Sequence, residues 1–413
     1  MAGAMRIGDR ITIWISDVAF GGDGVGRTGE RVVFVPFTVD GDVAEVEITD
    51  LKRRYARGRP VGIVAPSPHR TEPPCPYYGR CGGCRMQHIL YDHQLEIKER
   101  QVAETLRRIV KRPLPPVVPV IPSPKSYGWR IKAEFHLAGG RGSARRVGWM
   151  ALASHEIVEV ERCAILDESL NEQYRRFREA LRSGAVRAPG DEWVAWAGGP
   201  GEKEAGAADP SGRPADITRI VAGKAFTLSH RGFFQANGFL VDELVGQVVA
   251  MSALTGSETV VDAYGGAGLF SLFLGPRAGR LVGIEGDREA VRCARINLDR
   301  AGLRGVEFVH GDVADVLERT FVRPSGRADV VVLDPPRDGC GEAVIEKVAA
   351  LRPRRIVYVS CNPATLARDI GRLAKGGYLP NRLQPLDMFP QTAHVEVVAL
   401  LTPADGDGED PEG

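Results

Sequence analysis

Residues 11–64 are a succession of short apolar runs broken by glycine-rich turns: ITIWIS, FGGDGVG, RVVFVPF, TVDGD, VAEVEI and PVGIV. Runs of that length and rhythm predict a small all-β barrel over residues 1–66. The period then changes. In YDHQLEIKERQVAETLRRIV, Leu95, Val102, Leu106 and Ile109 recur at near-helical spacing, which predicts an amphipathic helix ending before Pro113–Pro116. Strand-like runs return at WRIKAEFHLAG, RRVGWMA and EIVEV, with one charged helix near 167–182. These elements predict a central α+β domain over 67–230, interrupted by a Gly/Ala/Pro-rich stretch at 188–214 that reads as a flexible insertion.

From Phe233 the pattern alternates: ETVVDAY, RLVGIEG, VEFVH, ADVVVLDPP and RIVYVS read as strands, each followed by a helix, and two further strands close the series. Val/Ile-rich strands alternating with helices imply a parallel, doubly wound α/β sheet. This Rossmann-like domain is expected over 231–403, with its ligand at the C-terminal ends of the strands, ahead of an acidic tail at 404–413 expected to be disordered.

The chain has 413 residues, 43% apolar and 26% charged, enough for several domains, each with its own core. No apolar run approaches the roughly 20 residues of a membrane span, and the first residues lack the apolar stretch of a signal peptide, so the expected setting is the cytoplasm. The net charge of +1 argues against a uniformly basic coat, but it conceals a split. Leu51 to Lys132 carries 17 Lys/Arg against 5 Asp/Glu, whereas Leu401 to Gly413 carries five acids and no base. Lys52, Arg53, Arg54, Arg57 and Arg59 surround Tyr55, a combination of cations and an aromatic that suits RNA.

Seven cysteines without a secretory signal point to thiols used for metal binding or catalysis rather than disulfides. Cys75, Cys81 and Cys84 form C-x5-C-x2-C, with Cys163 far downstream. Four thiolates suit zinc or an iron-sulfur cluster, and spacing alone does not separate the two. His88 and His93 read as ordinary surface or turn residues.

Asp262-Ala-Tyr-Gly265-Gly266-Ala-Gly268 follows a strand and opens a helix, giving backbone room beside a ligand, and Glu285 ends the next strand, where a carboxylate can meet ribose hydroxyls. A nicotinamide site would share these features, but Ser271 breaks the strict G-x-G-x-x-G. Asp334-Pro-Pro-Arg337 closes a strand at the ligand edge; Arg337 stands where an amino-methyltransferase often has an aromatic to stack its base. Ser360-Cys361-Asn362-Pro363 ends the following strand, with Cys361 at a helix start that favours thiolate. Glu396, in the HVE that begins the last strand, reads on its own as a surface carboxylate.

Together, FFQAN, DAYGGAG, DPPRDG, SCNPATLARD, HVE and the cysteine pattern resemble the RNA uracil-5-methyltransferase family of class I S-adenosylmethionine enzymes, over nearly the whole chain. The resemblance implies a TRAM-type, OB-like N-terminal barrel, a [4Fe-4S] cluster on Cys75, Cys81, Cys84 and Cys163, with zinc the alternative, and a methyltransferase domain. It also implies that Cys361 is the nucleophile at uracil C6 and Glu396 the base at C5. Gln235, Tyr264, Glu285, Asp312 and Asp334 become the expected cofactor residues, and His394 a residue positioning Glu396. Members with both barrel and cluster typically act on 23S ribosomal RNA, the expected substrate, with transfer RNA as the alternative and a monomer as the expected state. Where the family commonly has Cys, this chain has Gly265, which should be tolerated sterically. A catalytically idle RNA-binding factor is opposed by the presence of both Cys361 and Glu396, and a nicotinamide oxidoreductase by Ser271 and the SCNP segment.

Overall fold

A computed structural model of the chain describes residues 5–139, 146–186, 190–198, 216–324 and 326–404. The chain divides into two compact units, one formed by Met1–Gln101, Lys125–Trp193 and Phe389–His394, the other by Val102–Pro124, Val194–Met388 and Val395–Gly413.

In the first unit, β1 (Arg10–Val18), β2 (Asp23–Thr28), β3 (Arg31–Pro36), β4 (Val43–Leu51) and β5 (Tyr55–Ala65) close into a barrel in the order β1-β2-β3-β5-β4. Alternate residues point inward, so Ile13, Ile15, Val33, Val35, Val46 and Ile48 form its core. The basic segment is less free than its sequence suggests. Arg57 donates to Asp23 at 3.1 Å, Arg59 to Glu47 at 3.0 Å, and Lys52 lies 3.2 Å from Asp50. Among the described residues no carboxylate pairs with Arg53 or Arg54.

Helix α1 (Tyr91–Val110) follows the barrel, and the division between the units falls within it, after Gln101. Its N-terminal half buries polar groups as well as Ile97: Gln94 and Lys98 are wholly inaccessible, and His93 and Gln101 nearly so. His88 and His93 are therefore not surface residues. His88 meets the Tyr78 hydroxyl at 2.6 Å, while His93 stacks on His69 with centroids 3.7 Å apart and lies 3.0 Å from Asp40 and 2.7 Å from Glu96. Each ring is buried because a local partner replaces water, which a hydropathy pattern does not register.

Strands β6 (Lys132–Ala138), β7 (Arg146–Met150), β8 (Ile157–Val158) and β9 (Glu192–Trp196) form a sheet in the order β8-β7-β6-β9, with α2 (Glu168–Arg182) between β8 and β9 in sequence. Asp167 caps α2 by accepting from the Ser169 N–H. Residues 192–196 lie inside the stretch expected to be a flexible insertion, yet form β9, and Trp196 is wholly buried. Flanking glycines and alanines mask the short alternation EWVAW. Residues 199–214 of that stretch, and 405–413 of the acidic tail, lie outside the described residues.

The second unit holds a two-stranded hairpin, β10 (Ile217–Val221) and β11 (Lys224–Leu228), then α3 (Val241–Ser252) and the doubly wound sheet. Its elements are β12 (Thr259–Ala263), α4 (Ser271–Leu274), β13 (Arg280–Glu285), α5 (Arg288–Arg300), β14 (Val306–His310), α6 (Val313–Leu317), β15 (Val330–Leu333), α7 (Glu342–Ala350), β16 (Arg355–Ser360), α8 (Pro363–Lys375), β17 (Tyr378–Leu386) and β18 (Glu396–Pro403). The seven strands run β14-β13-β12-β15-β16-β18-β17, the first five parallel and the last two antiparallel to their neighbours. Every residue of β15 is buried, as an interior parallel strand covered on both faces requires. The chain order reverses at β12, whose neighbours are β13 and β15, so the C-terminal ends of β12 and β15 border the crevice where such sheets bind ligands. Among the described residues no helix is long and apolar enough to cross a membrane.

Candidate active site and thiol pocket

The glycine-rich turn after β12 is built around two carboxylates. Asp262 is fully buried in β12 and accepts the Ser271 hydroxyl proton at 2.6 Å; burial pushes its carboxyl up to about 6. Ser271 thus supplies a donor to a buried acid where a strict dinucleotide motif would have glycine. Glu285, at the end of β13, accepts from Gly266 N–H at 2.9 Å and from Asp287 N–H at 2.8 Å, tying the turn to the start of α5. The backbone is left-handed at Tyr264 (φ 62°), Gly266 (φ 54°) and Gly268 (φ 85°). The Tyr264 ring packs on the core of this unit; burial, and next the Cys340 thiol beside it, raise its hydroxyl above the ordinary tyrosine value. At Gly265, a β-carbon would lie 2.7 Å from Cζ of Phe308, so the space a larger residue would need is filled by this ring.

Asp312 ends the β14 connection as an exposed N-cap of α6, accepting from Asp315 N–H at 3.1 Å. Gln235 is buried in the segment between β11 and α3, two residues after Phe233, which is 76% exposed. The aromatic character of FFQAN is visible in sequence, but the exposure of its first ring is not.

Asp334 follows β15 and is half-buried; burial, then Asp262 and Glu285, push its carboxyl up to about 7. Ser360 pairs with Val397 in the antiparallel register of β16 and β18. Cys361, one residue beyond, and Glu396, one residue before, are thereby brought to one end of the sheet. Burial pushes the Cys361 thiol up to about 11, with Glu396 and Asp334 adding and Arg337 opposing. The start of α8 therefore does not by itself make Cys361 a thiolate: burial and two acids outweigh it. Glu396 is 4% exposed, contrary to its reading as a surface group; burial holds its carboxyl well above the usual range, Asp334 adds to this, and Arg337 opposes it. The sequence reading did not choose Asp262 or Arg337 as site residues. The signal available for each was its place at the C-terminal end of a strand, Asp262 beside the glycine turn and Arg337 directly after two prolines.

In the first unit, Cys75, Cys81, Cys84 and Cys163 line one cavity with Tyr77, Tyr78, Arg130 and Trp149. Burial pushes Cys84 up to about 12 and Cys163 up to about 11, and in both cases neighbouring sulfurs raise the thiol further. Four sulfurs that penalise one another's ionisation in a largely apolar cavity fit a group that binds them as thiolates, whether an iron-sulfur cluster or a tetrahedral metal ion.

Behind Cys84, a polar knot fixes residues 389–394. Gln391, 2% exposed and left-handed (φ 68°), accepts at its carbonyl from the Arg85 and Met86 N–H groups, each at 3.0 Å. Gln94 donates to the Gln391 side-chain oxygen at 3.0 Å and accepts from its N–H at 3.2 Å. Lys98 donates to the Phe389 carbonyl at 3.2 Å.

A doubly wound sheet with a glycine-rich turn after its first strand and acidic groups at the C-terminal strand ends is the architecture of a class I methyltransferase domain. The tRNA (uracil-5-)-methyltransferase family model matches residues 218–404, and the TRAM domain model matches residues 5–61. An uncharacterized RNA methyltransferase of Halalkalibacterium halodurans is 33% identical, covering 95% of this chain and 97% of the relative. One of Gloeobacter violaceus is 36% identical over 97% and 98%. The crystal structure of the Pyrococcus abyssi tRNA (uracil-54, C5)-methyltransferase in complex with S-adenosyl-L-homocysteine is similar at a TM-score of 0.72 and 26% identity, covering 95% of this chain and 100% of that one. The chain belongs to the RNA uracil-5-methyltransferase family, with a TRAM barrel at its N-terminus and an S-adenosylmethionine-dependent methyltransferase domain at its C-terminus.

Proposed function

We propose that this protein methylates C5 of a uridine in 23S ribosomal RNA in the cytoplasm, acting as a monomer through a covalent adduct between Cys361 and C6. The observation that carries the mechanism is that Cys361 and the buried Glu396 flank the Ser360–Val397 pair at one end of the sheet. C5 of uracil is too weak a nucleophile until a group adds at C6. Cys361, once its thiol proton has passed to water, would add its sulfur as thiolate to C6, pushing the ring electrons onto C5 and the O4 enolate. S-adenosylmethionine, when bound, supplies the methyl electrophile that C5 captures. Glu396 would then take the C5 proton, the double bond would re-form, and Cys361 would leave as thiolate. Asp334 would stand between the cofactor and the base, Gln235 would hold either, Tyr264 would flank the adenosine, Glu285 would take the ribose and Asp312 the adenine side. C6 is shielded in a stacked helix, so the uridine should be flipped out of it.

Cys75, Cys81, Cys84 and Cys163 would hold a [4Fe-4S] cluster, whose role would be to stiffen the RNA platform. A colourless, zinc-loaded protein from oxygen-free purification would replace the cluster with zinc.

A transfer-RNA uridine is the second reading, favoured by the Pyrococcus abyssi neighbour, which covers 95% of this chain. One experiment tests both readings. Wild type and Cys361→Ala are incubated with S-adenosylmethionine and either ribosomal or transfer RNA containing 5-fluorouridine, then resolved on a denaturing gel. Fluorine at C5 blocks elimination, so a shifted band with wild type alone supports the cysteine mechanism and identifies the RNA. No band with either RNA, with cofactor binding intact, overturns it.

A further inference from the structure

Asp369, in the second turn of α8, is a fully buried carboxylate with no part in the chemistry above. One of its oxygens accepts from Cys340 N–H at 2.8 Å and from the Tyr358 hydroxyl at 2.7 Å, and the other from Arg368 Nε at 2.9 Å and Arg372 at 3.3 Å. Arg368 also reaches across to the Asp338 carbonyl at 2.7 Å. The Arg337 carbonyl accepts from Thr365 Oγ1 at 3.1 Å and Asn362 Nδ2 at 3.3 Å. The return from Arg337 to Cys340 is therefore bonded along its length to the first turns of the helix that Cys361 precedes. Gly339 permits this approach: its φ is 73°, and a β-carbon there would lie 2.4 Å from the Asp369 carboxylate.

We propose that Asp369 is a positioning residue, anchoring the Asp334–Cys340 loop on α8 so that the Arg337 guanidinium is held beside Cys361. Of the charged groups facing Cys361, Glu396 from β18 and Asp334 from this loop disfavour its thiolate, and Arg337 is the cation that favours it. Facing Asp369 are Arg368 and Arg372 of its own helix, Tyr358 of β16, Cys340 of the loop and Tyr264 of the glycine turn, with Glu342 of α7 lying 3.9 Å from Arg372. A carboxylate enclosed by fixed donors is rigid, and loss of its charge weakens its hold on two arginines, the Tyr358 hydroxyl and the Cys340 N–H together.

The role rests on Cys361 being the nucleophile, so the test reads the thiol directly, without RNA. The rate of iodoacetamide modification of the Cys361 peptide is followed by mass spectrometry against pH, in intact wild type, Asp369→Asn, Arg337→Gln and the double variant. Asp369→Asn should slow modification at pH 8 by about three- to tenfold, an alkaline displacement of up to about one pH unit, and should add nothing when Arg337 is already Gln. The opposite sign has its own meaning. If Asp369 acted only through its field, removing it would expose the thiol to Arg368 and Arg372 and speed modification. A faster or unchanged rate, or an equal displacement in the Arg337→Gln background, overturns the proposal. Should Asp369→Asn fail to fold by circular dichroism, Thr365→Val removes one bond to the Arg337 carbonyl, and the same alkaline displacement, smaller, is expected; none would overturn it. Failure of wild type to form any RNA adduct would count against the mechanism above, while the alkylation comparison would still decide the role of Asp369.

Discussion

Ser360 of β16 and Val397 of β18 are partners across an antiparallel pair in a sheet whose other strands are mostly parallel. This register brings Cys361 and Glu396, 35 positions apart in the chain, to the same sheet end. The proposed nucleophile and base, acting in sequence at the two carbons of one ring double bond, would need this proximity. A one-residue slip would turn Glu396 to the other face of the sheet.

Glu396→Gln keeps the shape of the side chain and removes the proposed base. Methylated RNA should then accumulate as a covalent complex, because addition proceeds while loss of the C5 proton does not, and turnover should fall by about 10²–10⁴-fold. A denaturing gel with unmodified RNA reads it; continued turnover without trapped RNA would remove Glu396 from this role.

The Cys361 thiol is pushed up to about 11, chiefly by burial. The reactive thiolate is then a minor species at neutral pH, and its fraction grows as pH rises toward the thiol's value. Single-turnover adduct formation on 5-fluorouridine RNA should therefore rise about tenfold per pH unit between pH 7 and 9. A profile already flat at pH 7 would show that RNA or cofactor binding lowers the thiol first.

Gln94→Leu leaves the Gln391 N–H and side-chain oxygen, and the Met86 and Ile89 carbonyls, without the donor or acceptor they now have. Buried groups stripped of partners cost about 1–3 kcal/mol each, part of which relaxation recovers, so a loss of about 2–4 kcal/mol is expected. Urea unfolding measures it, and a loss below about 0.5 kcal/mol would mean the knot is solvated.

His88 is held neutral, its value depressed from 6.5 to about 4, mainly by burial. Below 6.5 the unfolded chain takes up this proton before the folded one does, so stability present above 6.5 drains away as the pH falls toward 4. The loss amounts to about 3 kcal/mol. His88→Gln should remove that part of the slope of the urea midpoint between pH 6.5 and 4, and an unaltered slope would place the titration elsewhere.

The amino-acid order by itself determined the elements: the alternation in ITIWIS and RVVFVPF already specifies barrel strands, and the βα rhythm from ETVVDAY onward specifies a doubly wound sheet. Period and turn chemistry are local properties, written in neighbouring residues. Motifs at strand ends likewise located Asp334 and Cys361, because strand ends can be read from the same pattern.

What only the tertiary structure decided was which polar groups are buried and what they face. His88, His93 and Glu396 look solvated in sequence, and each is buried. Asp369 is hidden inside a helix that otherwise reads as amphipathic, and Ser271, which breaks a glycine motif, donates to one oxygen of the buried Asp262. Burial of a polar side chain is affordable only when other residues supply its hydrogen bonds. Some partners are near in sequence, as Tyr78 is to His88, and others are 29 to 297 positions away, as Cys340 is from Asp369 and Gln391 from Gln94; neither kind follows a hydropathy period, so the fold brings them together.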